Sequence, residues 1–88
     1  MQHSPSIGAA VARAAAHAEA FGPEAGLTEL NALAPEDIET YQPYWAARAH
    51  FLALAGEREA AQVGFARAIG LTQDPAVRAY LTEQSGAL

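Results

Sequence analysis

Between Tyr41 and Leu81 the chain sets large and small apolar residues at helical spacing on either side of one glycine, and a pair of helices folded back on each other satisfies that pattern. Trp45, Ala49 and Leu52 recur at steps of four and three along one helix. Gly56 interrupts it, and Ala61, Phe65 and Ala68 recur at similar steps along a second. The small side chains of Ala49, Ala61 and Ala68 let the two helices approach closely, while Trp45, Leu52 and Phe65 fill the space between them. The pattern describes a binding scaffold, not a chemical site.

At 88 residues the chain is one small domain, in which only about 60 to 65% of the unfolded surface can be buried on folding. Apolar residues are 51% of the chain, but many are alanine, the best helix former and a poor filler of volume, so the expected architecture is all-α with thin, closely packed helices. No cysteine is present, which removes disulfides, thiolate metal sites and a cysteine nucleophile and fits a reducing, cytoplasmic setting. The net charge of -5, with five arginines and no lysine, is the opposite of what a phosphate-binding surface needs. Direct nucleic-acid contact is not expected. No apolar run approaches the roughly 18 residues needed to span a bilayer, and the N-terminus does not read as a signal peptide.

The expected organisation is a first hairpin over about 5–34, a connector over 35–40, a second hairpin over about 41–71 and a capping helix over about 75–85, five helices in all. Met1 to Ser4 reads as a loose end, with Ser4 as a helix cap and Pro5 at the first helical position. Ile7, Val11, Ala14, Ala18 and Phe21 make one apolar stripe, and Gly22 ends it. Pro23 starts a helix whose buried face is Leu27, Leu30 and Leu33, and Pro35 stops it. The acidic connector APEDIET reads as a turn or short coil. Pro43 is tolerated in the first turn of the third helix, where amides have no intrahelical partner. The fourth helix turns Ala61, Phe65, Ala68 and Ile69 inward and Arg58 and Arg67 outward. Asp74 caps the last helix at Pro75, and Val77, Tyr80, Leu81 and Gln84 share one face of it.

The halves repeat. Val11, Ala15, Ala18 and Gly22 precede Trp45, Ala49, Leu52 and Gly56 by thirty-four residues, and Glu24, Ala25 and Gly26 precede Glu59, Ala60 and Ala61 by thirty-five. Two stacked hairpins bury an incomplete core, so such an array needs a cap or a neighbour at each end. The last helix is the cap on one side; a further domain or a second copy would cover the outer face of the first helix.

No catalytic, cofactor or metal site is expected. His3, His17 and His50 form no close pair of the kind a helical metal clamp needs. Ser4, Ser6 and Ser85 lie at the termini, away from any preorganised base. Glu36, Asp37 and Glu39 read more simply as a solvated connector than as a basic partner's site. Tyr41, Tyr44, Trp45 and Phe51 fall within eleven residues. Trp45 reads as core, while Tyr41 and Tyr44 suit a helix mouth where a tyrosine with one wet edge meets a partner. Arg48, one turn from Tyr44, is either a paired, half-buried structural arginine or a ligand for a carboxylate. The candidate partner-binding set is Tyr41, Tyr44 and Arg48.

The segments YQPYWAARAHFLALAGE and AAQVGFARAIGLTQDPAVRAYL, preceded by AVARAAAHAEAFGPEAGLTELNAL, resemble the C-terminal tetratricopeptide-like region of a group of bacterial extracytoplasmic-function RNA polymerase sigma factors. The resemblance covers about Ser4 to Leu81. Its most specific pieces are Tyr41 with Pro43, the Ala47, Arg48, Ala49 triplet, Gly56, and Arg67 to Pro75 ahead of Arg78. It implies a right-handed array of helical hairpins that regulates sigma activity by contacting sigma domains, RNA polymerase or a second copy of itself. The promoter-reading domains of that family have no counterpart here, so promoter recognition transfers to no residue of this chain. Arg48 stands where the general repeat carries a long apolar residue, which suits the sigma-factor tail better than a general peptide-binding repeat. A freestanding adaptor for an unrelated peptide or protein is the alternative, and a small-molecule sensor between the hairpins is a third reading that a narrow alanine-lined core disfavours.

Overall fold

The computed structural model describes residues 6–88 as six α-helices with no strand among them: α1 (Ile7–Phe21), α2 (Pro23–Asn31), α3 (Pro35–Ile38), α4 (Gln42–Leu54), α5 (Arg58–Leu71) and α6 (Pro75–Gly86). The expected cap at Ser4 and Pro5 lies outside the described residues. Ser6 caps α1, its hydroxyl accepting from the Ala9 amide at 3.1 Å.

The five-helix expectation is corrected to six. The connector is not coil throughout, because Pro35 opens the short helix α3 where a stop signal was expected. Proline serves either role: it cannot continue a helix, but its fixed φ and missing N–H suit a first turn. The preceding helix has already ended at Asn31, four residues before Pro35.

Two glycines make the hairpin turns possible. Gly22 is at once the last cap of α1 and the first of α2, with φ 106° and ψ 163°, a region essentially closed to other residues. Gly56 has φ 85° and closes α4 in a Schellman motif: the Gly56 amide donates to Ala53 O at 3.1 Å and the Glu57 amide to Leu52 O at 2.9 Å. Asp74 caps α6 as expected, accepting from the Ala76 amide at 2.9 Å.

Each long helix packs on the next in chain order, α1 on α2, α2 on α4, α4 on α5 and α5 on α6, with α1 also touching α4. The result is a slab of 42 × 30 × 19 Å whose shortest dimension is about two helices deep, at 10 to 12 Å per helix. Two clusters form the core. Ala49, Leu52, Ala61, Phe65, Ala68 and Leu81 lie within and behind the second hairpin. Val11, Ala14, Leu30, Tyr44 and Phe51 join the first hairpin to α4. Trp45 is partly buried and borders both, so it joins the clusters and does not lie at the centre of either.

Burial does not follow a single repeat offset. Ala14 and Ala49, thirty-five residues apart, are each fully buried whereas Ala15 is exposed, while the positive-φ turn glycines Gly22 and Gly56 lie thirty-four apart. The expectation for Phe21 is corrected: it is 77% exposed at the end of α1 and lies off the buried stripe.

Two glycines inside helices mark close approaches between helices. A Cβ on Gly64 would lie 2.9 Å from Ala49 Cβ, and one on Gly26 would lie 2.8 Å from Ala18 Cβ and 2.9 Å from Phe51 Cε2. At Gly70, also helical, a Cβ would meet nothing within 4 Å. Gly64→Ala is therefore expected to destabilise the domain by about 1–3 kcal/mol through overpacking. Gly70→Ala is expected to stabilise it by about 0.5–1 kcal/mol through helix propensity. Urea unfolding followed by circular dichroism checks both; equal effects would remove the close approach from the account.

Candidate functional site

Tyr41, Tyr44, Arg48 and Phe51 recur at steps of three and four, which puts them on one face of the helical segment that begins at the Tyr41 cap. That face meets the first hairpin. Tyr44 is only 4% exposed, packed in the cluster of Val11, Ala14, Leu30 and Phe51. The expectation that Tyr44 stands at a helix mouth open to a partner is thus corrected: its ring is core, set edge-on to Trp45 with ring centroids 5.0 Å apart. Tyr41 is half-buried, and its hydroxyl lies against α1, 3.1 Å from where a Cβ on Gly8 would stand. Arg48 donates through Nη1 to Asn31 Oδ1 at 3.0 Å, at the last residue of α2. Of its two readings, the paired, half-buried arginine is the one this geometry matches. The structure therefore brings the three candidates together, but as residues that join the hairpins.

Trp45 and Arg67 hold the connector. Trp45 Nε1 donates to Ile38 O at 3.0 Å, and Arg67 Nη2 donates to Glu39 O at 2.9 Å. Both carbonyls lie at the end of α3, and Ile38 O also accepts from the Tyr41 amide at 3.1 Å. The Arg67 guanidinium also lies 5.3 Å from the Trp45 ring centre, a cation–π distance. Arg67 is exposed as expected, yet it spans from α5 to the connector.

A neighbouring face of α4 is more open, although Ala47 on it packs against the cluster of Val11, Ala14, Leu30, Tyr44 and Phe51. Pro43, Ala47, His50 and Leu54 follow one another along it, and Ala47 is the most covered of them. There a groove of about 270 Å³ opens, with Ala15 of α1 on one side, Ala46, Ala47 and His50 of α4 beneath, and Tyr80 and Gln84 of α6 on the other. Phe51, Phe65 and Leu81, all core residues, contribute its floor. Sequence reasoning missed this face because alanines carry no chemical signature, although exposed Tyr80 and His50 were visible as residues. A wider recess of about 460 Å³ lies between α1 and the turn after α2, beside Ile7, Arg13 and Asp37.

Of the remaining candidates, His17 lies 3.8 Å from Glu29 across the first hairpin, and its ring meets the edge of Phe21. Both side chains are well exposed, so the pair contributes little. His3 lies outside the described residues. No group of three or more His, Cys, Asp or Glu positioned for a metal occurs among the described residues. Glu36, Asp37 and Glu39 are exposed along the connector. Comparison with known proteins finds no matching family model, curated protein or solved structure.

The two packing roles predict a clear split in stability. Tyr44→Ala is expected to cost about 3–5 kcal/mol, as for other large aromatic truncations in cores. Arg48→Ala should cost no more than about 1.5 kcal/mol for one hydrogen bond near the surface. Chemical denaturation of the two variants measures both, and a well-folded, near-wild-type Tyr44→Ala would contradict the buried position.

Proposed function

We propose that this chain is a protein-interaction domain with a tetratricopeptide-like hairpin array, acting as the C-terminal regulatory module of a bacterial extracytoplasmic-function sigma factor. The observation that carries the interaction reading is the groove over α4, bordered by α1, α4 and α6 and left uncovered by the fold. The order of packing supports the array, since the long helices meet their neighbours in chain order, with α1 also touching α4. Transcription enters through the resemblance carried by Tyr41, Pro43, Ala47, Arg48, Ala49, Gly56 and the run from Arg67 to Pro75.

On this reading the partners are sigma-factor domains, core RNA polymerase or a second copy of the domain, all met in the cytoplasm. The chain works by contact and performs no catalysis of its own. Its net charge of -5 leaves contact with DNA to other parts of the transcription machinery. No helix of the described residues is long and apolar enough to cross a membrane. The freestanding adaptor is the second reading, because an uncharged groove does not by itself select a transcription partner.

Two measurements together separate these readings. An antibody against the domain should detect a natural gene product much longer than 88 residues, and the immobilised domain should retain purified sigma domains or core polymerase. A natural product of about this size, with no retention of either protein, would overturn the sigma-factor reading in favour of the adaptor.

A further inference from the structure

We propose that the connector is a strap that opens and closes on its own: residues 35–40 lift away from Trp45 while both hairpins stay seated, and Arg67 is the latch that holds the strap down. Opening bares Trp45, the chain's only tryptophan. The device belongs to the fold and does not depend on which partner the domain meets.

The strap is thinly attached. Of residues 35–40 only Ile38 is even half-buried, and it rests beside the cluster that contains Leu30 and Tyr44. The helix in it, α3, has four residues and no buried one, and a helix of that length does not hold itself together in water. Its N-terminal half has no outside support. Pro35 has no amide to donate, the Asp37 amide bonds Ala34 O at 3.0 Å within the same turn, and among the described residues no side chain of another element bonds Pro35, Glu36 or Asp37. Packing beneath is incomplete as well. A recess of about 440 Å³ is lined by Pro35, Glu36, Ile38, Glu39 and Trp45, so the strap does not close fully on the indole.

What attachment there is gathers at the C-terminal end. Trp45 of α4 bonds Ile38 O at 3.0 Å and Arg67 of α5 bonds Glu39 O at 2.9 Å. With its guanidinium 5.3 Å from the Trp45 ring centre, Arg67 both bonds the strap and steadies the indole that bonds it. Arg67 is also exposed. When the strap lifts, the guanidinium returns to water and no buried charge is left unpaired, which keeps opening inexpensive.

The hairpins do not need the strap to stay together. Leu30 of α2 and Tyr44 of α4, 1% and 4% exposed, share one cluster, and Gly26 of α2 lies against Phe51 of α4. Lifting the strap gives up surface contacts, whereas separating the hairpins gives up this core. Segments with few buried contacts open at free energies well below that of global unfolding, and the moving parts of proteins are drawn from them.

Native-state hydrogen exchange of the full chain, read by NMR, tests the proposal. The Trp45 indole N–H and the Tyr41 amide both bond Ile38 O and report the strap, while the Ala49 and Phe65 amides report the core. Low urea is expected to leave exchange of the two strap protons unchanged, because their opening exposes little surface, and to speed the core amides. Phe65→Leu, which weakens the core, should speed the core amides roughly tenfold and leave the strap protons as they were. Arg67→Ala should speed exchange of the Trp45 indole N–H by about three- to tenfold, the worth of one hydrogen bond. Strap protons that follow the core amides in urea or in Phe65→Leu would overturn the strap, since it would then open only with the whole domain. An unchanged indole rate in folded Arg67→Ala would overturn the latch. Should Phe65→Leu fail to fold, the urea series on the unaltered chain decides the first question alone.

Discussion

Everything in this small fold depends on a contact that only glycine allows. At Gly26, α2 comes so near to α1 and α4 that an added Cβ would stand under 3 Å from Ala18 and from the Phe51 ring. Three helices share that point. The first hairpin closes through Ala14 and Ala18, and the second hairpin enters through Phe51, so one position sets both the spacing inside a hairpin and the seating of the next. Gly64 against Ala49 does the same within the second hairpin. An alanine-rich chain has little apolar volume to bury, and close helix approach is how it still reaches the dense packing that stability requires.

A second constraint ties the connector to that frame. The Trp45 indole donates to the Ile38 carbonyl, which also accepts from the Tyr41 amide, and the Arg67 guanidinium donates to the Glu39 carbonyl. Arg67 also lies over the Trp45 ring, so these side chains form a small unit between α3, α4 and α5. With the connector held on that side and Tyr41, Tyr44 and Arg48 engaged with the first hairpin, the surface of α4 left more open is the one that carries Ala47 and His50. The groove is thus a consequence of where the large side chains are used.

The sequence was most legible where the physics is local. Gly22, Gly56 and Asp74 act within a few residues of themselves, and the buried positions Ala49, Ala61, Phe65 and Ala68 follow from helical period alone. Non-local facts were hidden. Tyr44 and Trp45 are adjacent and differ by about 100° around the helix, so which of them is fully buried depends on the angle between hairpins. The run Ala14, Ala15, Ala16 offers identical letters to any register, so the letters alone do not show that Ala14 is the one fully buried. Gly26 and Gly64 read as weak points in a helix until their neighbours are known. The candidate site suffered most, since the aromatic and arginine residues that attract attention are the ones the fold uses internally, and the open groove is walled by alanine.

The function proposed here follows from an array whose two hairpins are locked at Gly26 and whose α1, α4 and α6 face is left open. A nuclear Overhauser spectrum of the intact chain tests that arrangement most directly, because it reports proton pairs closer than about 5 Å, the scale of direct packing contact. The account predicts strong cross-peaks from the Phe51 ring to the Gly26 α-protons and to the Ala18 methyl. A Phe51 ring that contacts neither would contradict it, since the hairpins would then be seated differently and the groove over α4 would not exist in this form.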